Sequence, residues 1–178
     1  MAVAIAVAFA VCLGGGLWLY WTANRLDRMH HRIDLARASL DAQLLHRSGS
    51  ALELATSGSL DPARSLILVD ASHAARAAAS EEVEAAESDL SQALRAVLAD
   101  VGEGRALRQD PVTGALVHEL AGDCRKVVLA RRFHNDVVAS ARALRSRRRV
   151  RWLRLAGHAA ALETVDLDDE PPSALVPH

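Results

Sequence analysis

Aromatic residues make up 3% of the 178-residue chain, cysteines number 2, prolines 5, and Lys126 is the single lysine. Each scarcity excludes something. A sheet protein draws on aromatic and β-branched residues, so an aromatic-poor, Ala-rich chain points to closely packed helices. Cys12 and Cys124 stand far apart, one inside an apolar run and one deep in the charged part, so no disulfide framework is expected. With a formal net charge of −1, no overall field draws the chain to nucleic acid. No HExxH, no cysteine pair at metal spacing and no phosphate-cradling glycine loop occurs; His30 and His31 are adjacent and diverge on a helix. Neither a metal nor another cofactor is expected, and no catalytic residue can be nominated.

What is present begins at the N-terminus. Ala2 to Thr22 is an uncharged run, AVAIAVAFAVCLGGGLWLYWT, ending in Trp18, Tyr20 and Trp21. A hydrocarbon core ~30 Å thick is crossed by roughly 20 apolar residues in helix, so residues 1–23 read as a transmembrane helix that partners the lipid bilayer through residues 2–22. The absence of Lys or Arg before the run argues against a cleaved signal, and the Trp/Tyr end suits an interfacial belt. Arg25, Arg28 and Arg32 follow the run. That asymmetry places the N-terminus outside and the remainder in the cytoplasm.

Residues 24–155 carry three long helical patterns. Leu26, Met29, Ile33, Ala36, Leu40, Leu44 and Leu52 recur at helical steps and continue without Gly or Pro to Gly49. Ser57-Gly58-Ser59-Leu60-Asp61-Pro62 then reads as a stop followed by a capped start. A second pattern runs from Pro62 to about Val101 with Val83, Ala86, Leu90, Leu94 and Val97 on one face, and Ser80 marks a candidate break; Glu81, Glu82, Glu84 and Glu87 read as a solvated face. After a loop over residues 102–114, a third pattern holds Leu116, Leu120, Cys124, Val127, Ala130, His134, Val137, Ala141 and Leu144 at about 3.5-residue spacing. The expected fold is all-α: one N-terminal transmembrane helix, an elongated antiparallel three-helix (up-down-up) bundle, and an acidic, disordered tail over residues 156–178.

Polar residues on the seams need partners, so Asp41, Gln43, Arg47, His134 and Asn135, at similar height in parallel helices, are expected to form one buried hydrogen-bond network that sets helix register. Near the end of the third pattern, Arg145, Arg147, Arg148, Arg149 and Arg151 surround Trp152. This cluster reads as a solvated helix end facing the acidic tail, as a surface for a protein partner, or as a phosphate-binding patch.

The stretch from Asn24 to Ala36, NRLDRMHHRIDLA, followed by Leu40-Asp41-Ala42-Gln43-Leu44 and Arg47, resembles the first helix of the LemA family of bacterial membrane proteins, and Ala130 to Val138, ARRFHNDVV, is similar to its third-helix motif. The resemblance implies a single-pass inner-membrane protein with a helical cytoplasmic domain, no established enzymatic activity and a membrane-organising role. His134 stands where the family carries tyrosine, and Leu52-Glu53 replaces its Pro-Asn. The expected function is therefore a non-enzymatic membrane-anchored scaffold, presenting its helices to an unidentified protein partner or to copies of itself. A sensor or cryptic enzyme with a polar site in the bundle seam is the alternative.

Overall fold

The computed structural model describes residues 1–145 and 162–175; side chains are described at all of these except 2–4, 6–8, 10–12, 18–27, 30, 101, 103, 105 and 145. The described chain is all-helical: α1 (Ala2–Thr56), α2 (Pro62–Ala77), α3 (Val83–Val97), α4 (Val101–Gln109) and α5 (Pro111–Arg145), with a short 3-10 turn at Ser173–Leu175. Two compact units are distinguished, one of residues 1–36 and 136–163, the other of residues 37–135 and 164–178.

The uncharged run lies in the first part of α1, which continues through Leu52-Glu53 without interruption to Thr56. Among the described residues no helix is long and apolar enough to cross a membrane, and most side chains of residues 2–22 fall outside that set. In the first unit, Ala36, Val138 and Ala141 are buried, and the Arg142 guanidinium donates to the Leu162 carbonyl.

The turn after α1 follows its sequence signals. Gly58 takes φ 77°, a left-handed conformation that glycine adopts without a Cβ penalty. Asp61 then caps α2, its side chain accepting from the Ala63 and Arg64 amides at 3.0 and 3.2 Å, with Pro62 in the first turn. The second helical pattern is not one helix. It breaks into α2 and α3, which pack against each other, and Glu82 rather than Ser80 precedes α3. The expected loop over residues 102–114 is helical instead: α4 occupies most of it, and Asp110 caps α5 by accepting from the Val112 and Thr113 amides. The second unit thus gathers four long helical segments, not three.

Its larger core combines Ala51, Leu54 and Ala55 of α1, Leu68 of α2, Leu90, Leu94 and Val97 of α3, Val117, Leu120 and Cys124 of α5, and Ala174 and Leu175. Of the apolar steps legible in the sequence, Leu90, Leu94 and Val97 of α3 and Leu120 and Cys124 of α5 face this core. A Cβ on Gly104 would lie 2.8 Å from Ala174 Cβ, so only a glycine lets α4 approach the 3-10 turn this closely. Burial pushes the Cys124 thiol up to about 11, which leaves it protonated at neutral pH.

The tail expectation is overturned over residues 164–175. Val165, Leu167, Pro172, Ala174 and Leu175 are buried, and a second core cluster joins Val165 and Leu167 to Leu40 and Leu44 of α1 and Val127 of α5. Alternating side chains made the segment look like a solvated acidic run. Extended backbone turns that alternation into one buried and one solvated face.

Candidate functional site

The segment from Thr164 to Pro171 has no regular secondary structure, so its main-chain groups need partners other than a ladder. Helix side chains supply them. α3 offers Glu84, Ser88, Ser91 and Arg95, spaced by four, three and four residues and hence on one face. Glu84 accepts from the Asp166 amide at 3.3 Å, and Ser88 Oγ accepts from the Asp168 amide at 3.0 Å. Ser91 Oγ donates to the Asp168 carbonyl at 2.6 Å, and Arg95 donates to the Glu170 carbonyl at 2.9 Å. From α5, Asn135 takes both main-chain groups of Val165, donating from Nδ2 to the carbonyl and accepting at Oδ1 from the amide, each at 2.9 Å. Arg131 and Arg95 then hold the carboxylates. Arg131 meets Asp169 through Nε at 2.7 Å and Nη2 at 3.0 Å, while both Nη atoms of Arg95 grip Asp168. Such paired contacts fix geometry as well as charge.

Beneath this strap lies a buried ion pair. Arg47, 2% exposed, sends Nη2 to Glu87 Oε2 at 2.5 Å and to the Glu87 carbonyl at 2.9 Å, and Nη1 to Ser91 Oγ at 2.9 Å. Burial raises the Glu87 carboxyl above its ordinary value, outweighing the opposing charge and hydrogen bond of Arg47. The Ser91 hydroxyl joins this pair to the strap. α1 and α5 are linked similarly: Ser50 Oγ donates to Asp123 Oδ2 at 2.5 Å and Lys126 pairs with Asp123 Oδ1 at 2.8 Å. Burial pushes Asp123 up, yet the bonds from Lys126 and Ser50 outweigh it and the carboxyl is lowered.

Three of the five residues expected in one network pair elsewhere. Asp41 pairs with Arg37 at the surface at 3.0 Å, Arg47 with Glu87, and Asn135 with Val165. Gln43 is half-buried and borders a shallow groove with Lys126 and Phe133, whereas Asp41 borders a different depression of about 260 Å³ with Ser48, Arg76 and Glu87. His134 is buried. Arg47 is buried, and its partner is hard to read from sequence because Glu87 looks like one of several solvated acids. The signal was present: Glu87 falls on the stripe Val83, Leu90, Leu94, Val97 at the same alternating steps. Of the arginine cluster, Arg147, Arg148, Arg149, Arg151 and Trp152, together with the Arg145 side chain, lie outside the described residues.

Acid should loosen the strap. The Arg95 hydrogen bond holds the Asp168 carboxyl below its ordinary 3.8, against the smaller effect of burial. A folded-state value below the unfolded one stabilises above 3.8, and that stability is lost as pH falls through the folded value. Hydrogen exchange at the Asp166 and Asp168 amides, corrected for intrinsic rates, is expected to accelerate as pH falls below 3.8. Unchanged protection there would show that the arginine pairing does not hold the strap.

Among the described residues no group of His, Cys, Asp or Glu is placed to hold a metal ion. The arrangement is one of helices bound to an extended acidic segment. No protein-family model matches the chain, and neither a curated protein nor a solved structure matches it.

Proposed function

We propose that the chain is a non-enzymatic membrane-anchored scaffold of LemA-like type, held in the bacterial inner membrane by residues 2–22 with its N-terminus outside and its helical body in the cytoplasm. The observation that carries this reading is a stripe of large apolar side chains in α1. Ile5, Phe9, Leu13 and Leu17, one helical turn apart, are 65, 65, 52 and 69% exposed. Four such residues in line form an apolar surface that water disfavours and lipid tails cover. Arg25, Arg28 and Arg32 on the C-terminal flank alone support the orientation. The body supports a binding role through what it displays, namely helix faces whose side chains already bind an extended segment of chain.

Carbonate extraction and protease protection test the anchor together. The full chain is expected to stay in the alkaline membrane pellet, and a tag after His178 is expected to resist protease added to intact spheroplasts. Release into the supernatant would overturn the anchor, and digestion of the tag would overturn the orientation.

A further inference from the structure

The trough between α3 and α5 treats residues 164–170 as a bound ligand, and we propose that it is a peptide-binding groove for an extended acidic segment of a partner protein, with the chain's own strap as its resident occupant. The inference goes beyond the membrane anchor and does not need it.

Three features of the contact define the guest. Its main chain is read by side chains, not by a sheet edge: Asn135 clamps both main-chain groups of Val165, and Glu84, Ser88, Ser91 and Arg95 take those of Asp166, Asp168 and Glu170. Any extended segment offers the same amides and carbonyls at the same period, so these bonds give affinity without demanding a sequence. Two apolar positions, now filled by Val165 and Leu167, are two residues apart and enter the cluster of Leu40, Leu44 and Val127. Arg95 and Arg131 then require adjacent carboxylates just beyond them. The groove therefore selects apolar-x-apolar-acidic-acidic, a pattern that is both extended and negatively charged.

One of the strap's holds is weak. The Arg95–Asp168 pair is 29 and 34% exposed, a setting in which solvent screens the attraction and individual pairs hold weakly. Covalent attachment raises the strap's effective concentration and favours it over a free peptide of equal affinity. A guest therefore enters most readily when the strap is weakened.

The test uses the full chain in non-ionic detergent carrying Val165→Ser and Leu167→Ser, with a fluorescein-labelled synthetic peptide of residues 163–175, ETVDLDDEPPSAL. Anisotropy is expected to saturate on this variant and to fall by about tenfold in affinity when Asn135→Ala is added, or when the peptide carries Asp168→Lys and Asp169→Lys. Should the variant lose helical circular dichroism, the peptide is expected to restore it. A helical variant that ignores the peptide, equal binding of the lysine peptide, or an unfolded variant that the peptide does not rescue would each overturn the groove. A wild-type dimer dispersed by the peptide would replace the foreign partner with a second copy of this chain, overturning that assignment. None of these outcomes bears on carbonate extraction, so the two proposals fail separately.

Discussion

Replacing Arg47 by alanine should lower the unfolding free energy by about 3–5 kcal/mol, because it strands a buried carboxylate. Arg47 and Glu87 are each 2% exposed, and the guanidinium supplies Glu87 with both its counter-charge and a 2.5 Å hydrogen bond. Removing it leaves only the burial that already raises the Glu87 carboxyl, so the folded-state value climbs further. An acid raised in the folded state stabilises below its unfolded value and loses that contribution as pH rises through the folded one. The deficit of Arg47→Ala should therefore be small near pH 4.5, the ordinary glutamate value, and grow toward neutrality. Urea unfolding of the full chain in detergent at a series of pH values measures it. A deficit that does not change with pH would show that the loss is one of packing alone. The paired replacement Arg47→Met with Glu87→Leu should recover most of the stability, since it removes both desolvated charges while keeping the volume filled.

The second large loss is expected from Leu120→Ala. Leu120 of α5 is 0% exposed and shares its cluster with Leu54, Leu68 and Leu94, one from each of the other long segments. Truncation removes buried methyl groups and leaves a cavity that four helical segments cannot all collapse into, a cost of about 2–5 kcal/mol. The urea midpoint should fall with an unchanged slope, because the surface exposed on unfolding is the same. By contrast, Leu129→Ala on the same helix, 65% exposed in the native chain, should change the midpoint little. Equal losses at the two positions would mean that the core assignment of α5 is mistaken.

Much of the helical body was legible beforehand. Spacing alone puts Leu40 and Leu44 of α1, Leu90, Leu94 and Val97 of α3, and Leu120, Cys124 and Val127 of α5 on apolar stripes, and these are buried, whereas Leu52, Ala86 and Val137 on the same stripes are half-buried. Local signals sufficed at Gly58 and Asp61, where the stop and the cap depend on a few adjacent residues. The break between α2 and α3 was harder to locate, since Ser80 carries a capping side chain yet Glu82 precedes the helix. α4 was missed because Gly102 and Gly104 are poor helix formers, and Gly104 serves a close approach to Ala174 instead.

The candidate groove was almost invisible in one dimension. Asn135 was singled out, but with the wrong partners, and Arg95, Ser88, Ser91 and Glu84 look like any polar helix face. Their partners lie 73 to 82 residues away along the chain, beyond any periodicity or local motif.

Composition and apolar spacing by themselves determined the helical class, the principal turns, the buried stripes and the uncharged run at the N-terminus. These are consequences of backbone preference and of one residue's position relative to neighbours three or four places away. Only the tertiary structure decided that Glu87 faces Arg47 and that the acidic tail lies between α3 and α5. An arginine can meet any of several carboxylates, and which one it meets depends on how segments far apart in the sequence pack against one another.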